Sequence, residues 1–153
     1  MFLVVYKDYS YWIEFALQEA EIALSEDEIP VGAVLIKDNK LILRNHNRTR
    51  QLNDPTAHAE KLIITEIISQ GEKYLNDYTL FVTLEPCTMC AGMLILAKLG
   101  VLVFGAYDPK SGAAGSLYNI PLDRQLNHNP QVIGGILDEK CGELLKEFFQ
   151  AKR

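Results

Sequence analysis

"TLFVTLEPCTMCAGM", residues 79–93, is an apolar run that ends at a proline and opens directly onto two cysteines three positions apart. Residues 79–84 have the composition of a strand buried on both faces. Pro86 pushes Glu85 toward an extended backbone, and proline at a first helical position predicts a helix over residues 86–99. "VLVFGAY", residues 101–107, is a second buried run just beyond it. Strands that alternate with helices in this way pair in parallel within a covered sheet.

The flanking segments extend the pattern. "VGAVLIK" (31–37) and "LILRNHN" (41–47) are β-rich and separated by Asp38, Asn39 and Lys40, a turn composition that predicts a hairpin. Helical spacing of Trp12, Phe15, Ala16, Ala20 and Ala23 predicts a helix over 11–24 with Ser10 as its cap. A second helix is expected over 56–69, its apolar face carrying Leu62, Ile63 and Ile67. Downstream come a glycine-rich loop, "DPKSGAAGS" (108–116), an edge strand in "QVIGGI" (131–136) and an amphipathic helix over 138–152. The expected fold is α/β: a three-layer α/β/α sandwich with a mixed sheet of about five strands, one domain over residues 1–153.

Composition narrows the function. The chain has 153 residues, 48% hydrophobic and 23% charged, and a formal net charge of −5, so a nucleic-acid partner would need a local basic patch. Its three cysteines, Cys87, Cys90 and Cys141, include one C-x-x-C pair. That argues against a disulfide framework and for metal or redox chemistry in a reducing compartment. "MFLVVYKDY" (1–9) is too short for a signal peptide, and the run over 91–107 is interrupted by Lys98 and Gly100, so no membrane span is expected. The "NRT" sequon at Asn47 carries no weight without export, and the expected location is the cytoplasm.

The chemistry concentrates at two helix starts. Cys87 and Cys90, one turn apart, can aim both sulfurs at one ion, and a helix N-terminus favours thiolate over thiol. Two thiolates and one imidazole suit zinc. His58, at the entrance of the preceding helix, is the third candidate ligand. Three protein ligands leave the fourth position of a catalytic zinc for water. A structural zinc would need closure by Cys141, and a thioredoxin-like redox pair would leave His58 and Glu60 without a role. His46 and His128 read as surface histidines outside the ligand set.

Glu60 stands two residues after His58. Two thiolates and a neutral imidazole cancel the zinc charge, so such a centre acidifies water less than a cationic one and benefits from a nearby base. Positions two apart on a helix diverge, which assigns Glu60 to the water as a proton shuttle and not to the metal. The alternative is a solvent-facing helix glutamate. H-x-E followed by P-C-x-x-C is the pattern of zinc nucleobase deaminases.

The resemblance goes beyond that pattern. "EIPVGAVL" (28–35), "DPTAHAE" (54–60), "TLEPCTMCAGM" (83–93), "VFGAYDPKSGAAGSL" (103–117) and "ELLKEFF" (143–149) together are similar to the bacterial tRNA-specific adenosine deaminases of the cytidine/deoxycytidylate deaminase superfamily. The resemblance implies a homodimer with a cytidine deaminase-like fold and one Zn²⁺ per subunit. It implies hydrolytic deamination of adenosine to inosine at the wobble position of a tRNA anticodon. By position it places Asn47, Ala59, Asp108, Phe148 and Phe149 at substrate contacts, with Lys110 and Ser111 beside Asp108. Aromatic stacking and a basic rim suit a single-stranded RNA loop. The positive charge available is Arg44, Arg48, Arg50, Lys110, Arg124, Lys152 and Arg153. Two other functions fit the zinc pattern: a deaminase of a free base or nucleoside such as guanine or cytosine, and a non-catalytic zinc-binding module.

Overall fold

A computed structural model describes residues 7–153; the apolar start of the "MFLVVYKDY" segment lies outside them. The elements run α1 (Tyr9–Ser25), β1 (Gly32–Lys37), β2 (Lys40–His46), α2 (Ala59–Ser69), β3 (Thr79–Leu84), α3 (Thr88–Leu96), β4 (Val101–Ala106), β5 (Gln131–Ile133) and α4 (Asp138–Ala151). The five strands form one sheet in the order β2-β1-β3-β4-β5. β1 pairs antiparallel with both β2 and β3, while β3-β4 and β4-β5 are parallel. The expected mixed five-stranded α/β/α sandwich is the one observed.

Strand periodicity assigns the two faces, because successive side chains point to opposite sides of a sheet. Ala33, Leu35, Leu80, Val82, Leu102 and Phe104 pack with Ile63 and Ile67 of α2 and Leu94 of α3. Val34, Ile36, Phe81 and Val103 pack with Trp12, Ile13 and Leu17 of α1 and Cys141 of α4. α2 and α3 therefore cover one face and α1 and α4 the other. Among the described residues no helix is long and apolar enough to cross a membrane.

Several element ends differ from the sequence expectation, each for a local reason. α1 begins at Tyr9, because Asp8 and not Ser10 is the cap, its carboxylate accepting the Tyr11 N–H at 2.8 Å. The hairpin closes in two residues, Asp38 and Asn39, both left-handed (φ 51° and 58°), the geometry of a tight primed turn. α2 starts at Ala59 instead of residue 56, after a loop in which Asp54 accepts from both the N–H and the hydroxyl of Thr56. α3 occupies only Thr88–Leu96, so Pro86 stands before the helix and not at its first position. Its far end closes when Lys98 turns left-handed (φ 54°), with Lys98 N–H on the Ile95 carbonyl and Leu99 N–H on that of Leu94. This paired closure turns the chain straight into β4.

Candidate metal centre and active site

His58 is the N-cap residue of α2, and Cys87 is the N-cap residue of α3. Both have extended backbones, and neither side chain caps its own helix. An N-cap side chain ordinarily satisfies an orphan N–H; here both are turned away to meet each other. Cys87 Sγ lies 3.6 Å from His58 Nδ1 and Cys90 Sγ lies 3.7 Å from it. Ligand bonds of zinc to sulfur and nitrogen give a tetrahedral S–N edge of about 3.6 Å, so the donors stand at the spacing zinc requires.

Among the described residues this donor group stops at three, with all ligand atoms within 4.8 Å of one another. Cys141 is not among them. It is buried in α4 against β4, close to Gly105, where a Cβ would collide with its sulfur. Burial pushes its thiol up to about 12. The Cys87 thiol is held down at about 4, first by the hydrogen bond from Cys90 and further by His58. The Cys90 thiol is raised, and so is His58, in each case mainly through its hydrogen bond with Cys87. The Cys87 sulfur is thus the one best prepared for the thiolate form that a metal ligand needs.

Glu60 lies in the first turn of α2, buried beside the three donors but outside their group. The exposed-glutamate alternative is therefore excluded. Burial raises the affinity of its carboxyl for a proton, partly offset by its own backbone N–H and by the charge of His58. A carboxyl held in this way is suited to taking up and returning a proton.

The remaining candidates fall into three regions. Asn47, buried just beyond β2, accepts the Ala59 N–H on its Oδ1 at 2.8 Å, which uses the one backbone donor Ala59 has and engages the amide oxygen but not the amide N–H₂. Asp108 begins the loop after β4, its Oδ1 accepting from the Lys110 and Ser111 N–H groups at 3.0 and 3.2 Å. Phe148 and Phe149 sit near the end of α4 with rings at 5.3 Å; Phe148 is buried and Phe149 is exposed. α4 runs parallel to α1, joined by Lys140–Glu14 at its start and Lys152–Asp27 at its end. Asp27 also binds Arg50, so the last turn of α4 is tied to the segment after Asn47.

In sequence Glu85 is no more than an extended residue before proline, whereas in the fold it is central. Its buried carboxylate accepts from the N–H groups of Asp108, Ala114 and Ser116 at 3.0, 2.9 and 3.0 Å and from the Ser116 hydroxyl at 2.5 Å. Burial alone would raise its pKa, but these hydrogen bonds outweigh it and hold the carboxyl below its ordinary value. Glu85 thereby fastens the 108–116 loop to the strand that delivers Cys87. Gly112 is required there, since a Cβ would run into the Glu85 carboxyl group.

His46 departs from the surface expectation. It is buried, with Nδ1 2.7 Å from Glu19 and Nε2 3.0 Å from Glu26, and so links β2 to α1. The partly buried His128 contacts the Leu99 carbonyl through Nε2. Neither approaches the donor group. The basic residues are also less free than the sequence suggests, because Arg44 pairs with Glu19, and Arg50 and Lys152 both pair with Asp27.

Comparison with known proteins agrees with this geometry. The cytidine and deoxycytidylate deaminase zinc-binding region matches residues 6–106. A tRNA-specific adenosine deaminase of Bacillus subtilis (strain 168) is 41% identical over 143 residues, 93% of this chain and 89% of the relative. A solved structure from studies of A-to-I editing by tRNA:A34 deaminases at the wobble position of transfer RNA is 42% identical, with a TM-score of 0.84 over 89% of this chain and 99% of that one. A guanine deaminase from Nitrosomonas europaea shares the fold, with a TM-score of 0.80 at 20% identity over 95% of this chain and 86% of that one. Identity above 40% along nearly the whole chain, together with the matched zinc-binding region, means that this chain belongs to the tRNA-specific adenosine deaminase family of the cytidine and deoxycytidylate deaminases.

Proposed function

We propose that residues 1–153 form one zinc-dependent deaminase domain that converts adenosine to inosine at the wobble position of a tRNA anticodon. The observation that carries this is a donor group limited to His58, Cys87 and Cys90 with the buried carboxyl of Glu60 beside it, on a chain 41% identical to a tRNA-specific adenosine deaminase. The three residues would hold one Zn²⁺ per subunit. Bound there, zinc supplies a Lewis acid that makes water a better nucleophile at neutral pH. Glu60 takes one proton from the attacking water and passes it to a ring nitrogen, then takes the remaining proton of the added hydroxyl and delivers it to the amino group, so that the C–N bond breaks, the carbonyl forms and ammonia leaves. Asn47 offers its amide N–H₂ to the base while its oxygen holds the start of α2. Asp108, fixed through Glu85, borders the nucleotide, and of the aromatic pair only the exposed Phe149 is free to meet the anticodon loop, with the buried Phe148 packed behind it.

Two further features fit this function. Met89 and Leu96 lie seven residues apart on α3 with half-buried Met93 between them, and Leu96 is 81% exposed. An apolar stripe of this kind is what a second copy would cover, and we assign it to a homodimer. Three unpaired cysteines suit a reducing cytoplasm. The test is to incubate the protein with a tRNA that carries adenosine at the wobble position. Inosine there supports the proposal. No inosine, with ammonia released from free guanine or cytosine, replaces it with a free-base activity.

A further inference from the structure

We infer that Tyr107 is a stacking platform for an unpaired nucleobase that flanks the reacting nucleotide; this rests on the tRNA deaminase function proposed above. The residue follows β4 directly and is 53% exposed, unlike the strand before it. Its backbone is held on both sides by Glu85. The carbonyl of Ala106 accepts the Glu85 N–H at 2.9 Å, and the N–H of Asp108 donates to Glu85 Oε1 at 3.0 Å. Tyr107 is therefore fixed at the C-terminal end of the parallel strands, the end from which Cys87 emerges.

The side chain is held as firmly as the backbone. Its ring meets Phe104 edge-on, with centroids 5.1 Å apart and planes at 87°. Phe104 belongs to the core layer that packs against α2 and α3, so the ring is anchored on the buried core. On another side lies bare backbone. A Cβ at Gly134 would collide with the Phe104 ring and come within 2.9 Å of the Tyr107 hydroxyl, and one at Gly135 would stand 3.5 Å from the Tyr107 ring. Two consecutive glycines make the floor against which the ring rests, and half of the residue stays in solvent.

Charge gives this ring a task. The chain carries a net charge of −5, and Arg44, Arg50, Lys61 and Lys152 are each paired with a carboxylate of the same chain. The net negative charge limits what phosphate neutralisation supplies, whereas aromatic stacking is indifferent to net charge and to base identity. An exposed aromatic fixed next to Asp108 supplies contact area to a splayed base at little entropic cost.

The test compares wild type with Tyr107→Ala, Tyr107→Phe and Tyr107→Lys, measuring inosine formation in a tRNA with adenosine at the wobble position. Tyr107→Ala raises KM about tenfold, within the range of stacking losses, and leaves kcat within about twofold. Tyr107→Phe restores the wild-type KM. The salt dependence of KM stays shallow in wild type and in Tyr107→Phe, and steepens in Tyr107→Lys as a phosphate contact is added. A Tyr107→Ala enzyme with wild-type KM overturns the inference. So does one whose kcat and melting temperature fall together at constant KM, because the ring would then be structural. If wild type itself forms no inosine, the proposed function falls and this inference with it, an outcome distinct from the other two.

Discussion

Asn47 Oδ1 accepts the N–H of Ala59 at 2.8 Å, so the residue assigned to the base also fixes the first turn of the helix that carries His58 and Glu60. The two duties separate by mutation. Asn47→Ala leaves a buried N–H without a partner and costs about 1–3 kcal/mol, measured as a lower urea midpoint. Asn47→Asp keeps an acceptor at a helix N-terminus, where negative charge is favourable, and recovers most of that stability. It loses the amide donor, so its kcat/KM stays low while its midpoint returns.

The Glu85 carboxylate receives hydrogen bonds from Asp108, Ala114 and Ser116, which lie 23, 29 and 31 residues further along the chain. Glu85→Ala releases the 108–116 loop and leaves those buried groups unsatisfied. The expected loss is about 3 kcal/mol, since hydrogen bonds to charged groups count for more than neutral ones. Hydrogen exchange reads it locally: the amides of Asp108, Ala114 and Ser116 exchange faster, while those of β1 keep their protection. Zinc stoichiometry stays at that of wild type, because the donors to the Glu85 carboxylate are Asp108, Ala114 and Ser116 and none is His58, Cys87 or Cys90.

Metal removal is read by the thiols. With zinc bound, Cys87 and Cys90 resist alkylation at pH 8. After chelation Cys87 is modified first, because its thiol is held at about 4 and it is half-exposed. Cys141, buried and pushed up to about 12, reacts only after denaturation. Peptide mass mapping distinguishes the three. Early labelling of Cys141 on chelation would make it a ligand.

The parts of the molecule that the sequence disclosed are those with local causes. β3 and β4 are continuous apolar runs because both of their faces are covered, and their run length set them apart from the half-exposed β2. The metal donors were legible because each sits at a helix start flagged by composition. The contrasting cases depend on distant partners. Nothing near His46 announces Glu19 and Glu26, which reach it from α1 and from the turn just beyond it. Glu85 looks like an ordinary strand end until the loop folds back over it. The early end of α3 depends on Lys98 adopting a left-handed backbone, a conformation that lysine seldom signals.

The most direct measurement is the single-turnover rate of inosine formation by zinc-loaded Glu60→Ala on a tRNA with adenosine at the wobble position. The buried carboxyl beside the three donors makes proton transfer its task. The variant should hold one zinc per chain and lose at least about 10³-fold in rate, as general acid–base groups supply about 10²–10⁴. A zinc-loaded variant within tenfold of wild type would contradict the account.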